Sequence, residues 1–423
     1  MFKLKLLGAL VLLAMTASCA RPEPIVGEDA KSSAERLTVQ APAADLEKTV
    51  RGLNDFTLEL HRRTASPSKN VITAPASITT ALGMASAGAA GTTLDAFRST
   101  LNVTLPQADF HGAMNTLDRA LTSRGQGKSG TNGRPFTLSI VNQTFAQKGF
   151  HLETGYLDLL AQQYGTGLKL LDFVKRPEPS REAINAFVSY HTADLIPHLL
   201  GEGTITTDTR VVLANAVYFN ASWESPFEKN DTSPGAFTLA DGSSAQVPML
   251  RDGAHPARSA TVNGVEVVDL PYQGNEVSML LLMPAAGDLP SLEASLDAKK
   301  LEQYVGALQQ GELEFSMPKF AIDLETKLAG PLAAQGLGVA FSSEADFSAM
   351  TGDRSLSISD VVHHAVIRVT EEGTEAAGAT AIVFGVTSIP LTRPLHVDRP
   401  FVYFIRDNAT GALLFMGHVV DPR

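Results

Sequence analysis

The chain has 423 residues, a formal net charge of −11 and 44% hydrophobic against 19% charged residues, so it holds enough apolar material for a sizeable core and is not globally disordered. Its acidic balance, with no basic block, excludes a nucleic-acid footprint and gives no support to a polyanion-activated site. A single cysteine, Cys19, rules out disulfides within the chain. At the N-terminus, Lys3 and Lys5 precede an apolar run from Leu6 to Met15, too short to span a bilayer comfortably and followed by the small residues Thr16, Ala17 and Ser18. Residues 1–18 thus read as a bacterial-type export signal.

The four residues Thr16 to Cys19 resemble a bacterial lipoprotein cleavage box, although Thr16 stands where Leu is usual. The resemblance implies that Cys19 is lipidated, becomes the new N-terminus and anchors the protein to the outer membrane or cell surface. The other possibility is an ordinary signal peptide cut beyond Cys19, which would release a secreted protein. Residues 20–45 mix Pro, Ala, Ser and charges without an apolar period, so residues 19–45 read as a lipidated N-terminus and flexible tether, with a reach of about 25 to 30 Å. The folded body is expected at 46–423 as a single domain, with neither an internal repeat nor a linker.

Leu46, Val50, Leu53, Phe56 and Leu60 recur at helical spacing and predict an amphipathic first helix to Arg63. Thr79 to Leu101 predicts two helices around Gly88 to Gly91, with Thr92 and Thr93 as the second start. Gly125 to Gly133 reads as an exposed loop before a strand from Phe136 to Ala146. Strand-like runs follow at Arg210–Phe219, Phe237–Leu239, Val265–Leu270, Val277–Met283, Leu313–Phe320 and Ala365–Thr370. Strands in runs with helices scattered among them favour an α+β architecture over a doubly wound sheet.

The stretch Glu371, Glu372, Gly373, Thr374, Glu375, Ala376, Ala377, Gly378, Ala379 and Thr380 reads as the start of a strand held out of its sheet. On one parity it presents Thr374, Ala376, Gly378, Thr380, Ile382 and Phe384, small at the leading edge and large behind. Such a face can slide between two strands, while Glu375 on the other parity stays in water.

This segment resembles the reactive-loop hinge of the serpins, a family whose conformational switch is the insertion of a loop into a β-sheet. Further motifs similar to that family run along the chain in the expected order. They are Asn70 to Ile78, Asn142 to Phe145, Leu171 to Phe173 with Ile184 to Val188, Asn215 to Phe219 with Trp223 and Phe227, Leu270 to Tyr272, Met317 to Phe320, Phe341 with Asp346 to Ser348, His363 with Ala365, Arg399 to Phe401, and Leu414 to Gly417. The resemblance implies a serpin fold: three β-sheets surrounded by about eight or nine helices, with an exposed reactive-centre loop near the C-terminus.

It also implies a protease inhibitor, not an enzyme, in which a serine endopeptidase cleaves the loop and is trapped as its acyl-enzyme while the loop inserts into the central sheet. The family's common spacing places the reactive bond between Thr387 and Ser388, and a count back from Pro400 places it about two residues later. Thr387 after Val386 suits elastase-like or subtilisin-like serine proteases, with cysteine proteases as a further class of partner. The resemblance assigns Ser77, Asn185 and His363 to a hydrogen-bonding cluster that governs sheet opening, and pairs Glu371 with a basic partner such as Lys319. A monomer with a tendency to loop-sheet polymerisation is implied. No cofactor or metal is expected, since His363 and His364 point to opposite faces of a strand and no Gly-x-Ser-x-Gly elbow or phosphate loop occurs. The alternative reading is a serpin-fold surface binding module that does not inhibit.

Overall fold

The computed structural model describes residues 21–126, 136–374 and 392–423. Its strands, in chain order, are β1 (Glu28–Ala30), β2 (Val71–Thr73), β3 (Thr137–Gln147), β4 (Leu168–Leu171), β5 (Val211–Ser222), β6 (Ser233–Thr238), β7 (Ser244–Val262) and β8 (Val265–Pro271). They continue with β9 (Val277–Met283), β10 (Gln309–Pro318), β11 (Phe320–Lys327), β12 (Asp360–Thr370), β13 (Gly373–Thr374), β14 (Arg393–His396), β15 (Phe401–Asp407) and β16 (Leu413–Val419). The longer helices are α1 (Ala43–Thr64), α2 (Pro75–Ala87), α3 (Gly91–Thr100), α4 (Gln107–Thr122), α5 (Thr154–Leu159), α6 (Pro177–His191), α7 (Leu289–Ser295) and α8 (Ala298–Gly306).

One sheet has the order β1-β4-β3-β5-β13-β12-β11, and the other runs β14-β10-β7-β8-β9-β15-β16-β2 with β6 beside β7. The second and third of the expected sheets are therefore joined through β7. That strand pairs with β10 from Met249 to Ser259 and with β8 from Arg258 to Val262.

Sequence explains which surfaces are covered. β12 is nearly continuous in apolar residues, with Val361, Val362, Ala365, Val366, Ile367 and Val369 all buried, the pattern of a strand packed on both faces. On one face Val362 and Val366 join Phe145, Ile184, Phe187 and Val212 under α6. Residues of the opposite parity, Val361, Ala365 and Ile367, join the main core with Ile78 and Leu82 of α2. α2 is buried almost all round, as a helix made of apolar and small residues must be. β11 lies at the sheet edge and alternates instead: Phe320 and Ile322 are buried, while Ala321, Asp323 and Glu325 face solvent. In α1 the expected stripe is buried at Val50, Leu53, Phe56 and Leu60.

The flexible tether expected at residues 20–45 is corrected by the structure. Val26 is only 3% exposed and sits in the cluster under α6, and β1 adds to the sheet as an antiparallel partner of β4, with Glu28 opposite Leu170. Gly27 allows this approach: its φ is +65°, and a Cβ there would lie 2.4 Å from the Leu170 carbonyl oxygen. Farther along, Arg36 donates from Nε to Asn115 Oδ1 at 2.9 Å and pairs with Asp118 at 2.6 Å, while the Leu37 N–H reaches the Gln162 carbonyl at 2.8 Å. The packed body thus begins at Val26. Edge pairing is made by the main chain and needs no apolar period, which is why composition alone suggests a leash.

Val26→Asp should lower the thermal unfolding midpoint by a few degrees, because it removes about 1.5–3 kcal/mol of side-chain burial and leaves a carboxylate without a partner in an apolar cluster. Calorimetry reads this directly, and an unchanged midpoint would mean the segment is undocked in solution.

Candidate functional site: a seam in the seven-stranded sheet

β5 and β12 run parallel and pair in register from Val212 with Asp360 to Tyr218 with Val366. Above that seam the sheet opens to admit β13. Gly373 pairs with Ser222 and Thr374 with Ala221 on one side, while Thr370 and Val369 receive the same two residues on the other. β13 is antiparallel to both neighbours, so it fits where two parallel strands leave an alternating place between them. Gly373 has a φ of +150°, and a Cβ on it would lie 2.1 Å from the Ala221 carbonyl oxygen, so only glycine closes this corner. Thr374 is fully buried, and its hydroxyl lies 2.7 Å from that of Tyr272.

The turn that feeds β13 is held from all sides. Trp223, the single tryptophan, donates its main-chain N–H to the Glu372 carbonyl at 3.0 Å and its indole N–H to the Thr370 carbonyl at 3.0 Å. Its ring stacks on Tyr272 with centroids 4.5 Å apart and planes 12° apart. The Phe227 N–H reaches the Glu371 carbonyl at 2.8 Å. The Glu371 carboxylate accepts both Lys319 Nζ, at 3.0 Å, and the Thr232 hydroxyl, at 2.9 Å. Burial alone would push its pKa up, but the hydrogen bonds from the backbone, Lys319 and Thr232 outweigh this and hold it below the usual carboxylate value. Lys229 pairs with Glu372 at 2.5 Å.

Midway down the seam lies a polar cluster in an otherwise apolar layer. Asn215 and His363 are register partners across β5 and β12, and Asn142 is the partner of Asn215 on β3. Asn215 donates from Nδ2 to Asn142 Oδ1 at 2.6 Å and to Ser77 Oγ at 2.5 Å, and Ser77 Oγ donates to Asn142 Oδ1 at 2.8 Å. The Ala74 N–H donates to His363 Nε2 at 3.0 Å. Nε2 must therefore be an acceptor, which places the ring proton on Nδ1, where it is donated to Asn215 Oδ1 at 2.5 Å. His363 is thus neutral, and burial, with a smaller contribution from His364, pushes its pKa down to about 3.

Ser77 and His363 come together here, but Asn185 does not. It lies on α6, donating from Nδ2 to the Leu200 carbonyl at 2.9 Å and accepting the Leu200 N–H at 2.8 Å, so it pins the chain after α6 and takes no part in the seam. Asn215, with Asn142, takes the place in the hydrogen-bonding cluster expected of Asn185. The available signal is a lone polar residue inside the apolar run of β5, since a buried amide needs partners on the neighbouring strand. Cys19, Glu375 to Thr380, and the bond between Thr387 and Ser388 lie outside the described residues.

A sequence profile described as "Serpin (serine protease inhibitor)" matches residues 51–422. The chain is 33% identical over 375 residues to Serpin B3 of Homo sapiens, covering 84% of this chain and 95% of that protein. It is 31% identical over 365 residues to the leukocyte elastase inhibitor of Bos taurus, covering 84% and 94% respectively. The fold is similar to that of the thermophilic serpin tengpin in the native state, with a TM-score of 0.84, 24% identity, and coverage of 94% of this chain and 100% of that one.

The cluster makes stability acid-sensitive in a defined direction. His363 titrates near 6.5 when unfolded and about 3 when folded, so the unfolded chain takes up the proton first and stability falls as pH drops from about 6.5 toward 3. At pH 5 the loss from this residue is about 2 kcal/mol. His111, pushed down to about 4 by burial, adds to the same limb. Denaturant unfolding of His363→Gln should show lower stability at pH 7 but a shallower decline between pH 6.5 and 4; an unchanged slope would show that His363 does not titrate on unfolding.

Proposed function

The chain belongs to the serpin family, and from that premise we propose that it is a suicide-substrate inhibitor of serine endopeptidases and not an enzyme. The observation that carries this reading is β13: the hinge has two residues seated at the head of the seam, with the rest of the seam closed by direct pairing of β5 and β12. Inserting the following residues replaces one parallel ladder by two antiparallel ones. The fourteen residues Thr374 to Thr387 would extend about 46 Å at about 3.3 Å each. About a dozen new ladder bonds at about 1 kcal/mol each, with burial of Ile382 and Phe384, make the inserted form lower in free energy by roughly 10 kcal/mol.

In this mechanism the protease serine attacks the carbonyl carbon of Thr387. An ester to the enzyme forms, the Thr387–Ser388 peptide bond breaks, and Ser388 leaves as a free amine. The severed loop then enters the seam faster than water cleaves the ester, carrying the enzyme with it. Val386 and Thr387 suit a small or medium apolar specificity pocket, so elastase-like or subtilisin-like enzymes are the proposed targets. The export signal and Cys19 support display outside the cytoplasm, on a membrane through a lipid at Cys19.

Incubation with an elastase-like or subtilisin-like protease should give a 1:1 adduct that survives boiling in detergent, with mass spectrometry locating the cut after Thr387. Clean cleavage with no adduct, and no rise in thermal stability of the nicked protein, would instead favour a non-inhibitory binding module. Thr374→Arg should convert inhibitor to substrate and raise the stoichiometry of inhibition at least several-fold, because Thr374 is fully buried between β5 and β12 and a charge there costs several kcal/mol. Retention of full stoichiometry by that variant would remove insertion from the mechanism.

A further inference from the structure

Away from the seam, α1, α7 and β16 each contribute one polar side chain to a single buried point. His61 and His418 are each 1% exposed at the side chain and Glu293 is 11% exposed. Glu293 Oε1 lies 2.7 Å from His61 Nε2 and 2.6 Å from His418 Nδ1. The imidazole rings stand nearly perpendicular, at 87° with centroids 5.5 Å apart, so their nitrogens converge on the carboxylate from two directions. We propose that His61, Glu293 and His418 form a binding site for a divalent transition-metal ion of the zinc type.

The proton count leads to this reading. His418 Nε2 lies 2.8 Å from the Lys69 carbonyl, which can only accept, so the proton is on Nε2 and a neutral ring offers a bare Nδ1 to Glu293. A bare nitrogen and a carboxylate oxygen 2.6 Å apart require a positive centre between them, either an extra proton or a metal ion. The Lys69 contact is the outer hydrogen bond that orients a metal-bound histidine. In the ion-free site the Glu293 carboxylate holds the His61 proton on Nε2, while Nδ1 is buried with no partner among the described residues, so Nε2 can present a lone pair once that proton moves to Nδ1.

Two imidazoles and a carboxylate form the donor set of open zinc sites, in which bonds of about 2.0–2.1 Å set ligand atoms about 3.3 Å apart. Each nitrogen would therefore stand about 0.6 Å farther from Glu293 Oε1 than it does now, and all three ligand atoms already lie within 4.8 Å of one another. Glu293 also lines a cavity of about 550 Å3 with Arg62, Leu289, Pro290 and Ala294, which supplies both an entry path and room for a water as fourth ligand. On binding, the ion takes the three lone pairs, the proton between Glu293 and His418 is released to solvent, and His61 changes tautomer. This site is separate from the hinge and does not rest on the inhibitory reading.

The test uses the full mature chain freed of metal with a chelator. Zn2+ should bind with one equivalent, release about one proton and raise the thermal midpoint by several degrees, since the ion bridges α1, α7 and β16. Co2+ should give the visible absorption of a four-coordinate nitrogen and oxygen site. Glu293→Gln and His418→Gln should lose both the shift and the absorption, whereas replacing the exposed His151 and the half-buried His191 together should preserve them. No binding, or a shift that survives in Glu293→Gln, overturns the proposal. Should either buried variant fail to fold, the cobalt spectrum and proton release of the parent chain decide alone: a featureless titration without proton release also overturns it.

Discussion

The parallel ladder between β5 and β12 is the constraint on which the rest of the structure depends. Two neighbouring strands that point the same way can be separated by a third of opposite direction without changing either of them, and β13 shows that polarity at the head of the seam. Parallel pairing is slightly weaker per residue than antiparallel pairing, so under the proposed mechanism the closed seam would be the less favourable of two arrangements. What keeps it closed is local. The Asn215 and His363 pair bonds across it directly, Asn142 and Ser77 extend the network to β3 and α2, and apolar residues pack above and below it. Such a network is strong because the alternative is several unpaired buried groups at once, Asn215 and His363 both being fully buried.

The top of the seam is controlled by different chemistry. Trp223 binds two main-chain carbonyls of the turn, one with its backbone and one with its indole, and its ring is fixed by stacking on Tyr272, whose hydroxyl in turn touches Thr374. The acidic pair Glu371 and Glu372 is neutralised by Lys319 and Lys229. The turn from Thr370 to Gly373 is therefore fixed from several sides.

Much of this is legible in the sequence, for identifiable reasons. β9 can be read at its observed ends because Val277 to Met283 is a continuous apolar run, and the α1 stripe because its spacing is regular. β12 is legible only from Ala365, although it begins at Asp360, because His363 and His364 interrupt the apolar pattern. β7 escapes sequence reading: nineteen residues with prolines and a glycine among them carry no steady alternation, and the strand is specified by partners on both sides. The hinge and the contact of Glu371 with Lys319 follow from likeness to a family together with side-chain size. Asn215 is easily passed over since one amide in an apolar strand has no period, and Asn185 takes its place in the expectation although α6 turns it toward Leu200. The N-terminal segment is misjudged from composition because backbone pairing leaves no compositional trace.

That segment has a geometric corollary. Val26 packs with Val212 and Val362, at the end of the sheet where β12 begins, whereas Thr374 meets β5 at Ala221, nine residues and about 30 Å along the strand. The residues just ahead of Val26 touch the body as well, Arg21 pairing with Asp194 at 2.8 Å and Glu23 with His191 at 3.2 Å, at the C-terminal end of α6. The two places where extra chain joins the body thus lie at opposite poles of the sheet, so whatever precedes Val26 is held at the end away from the Thr374 corner.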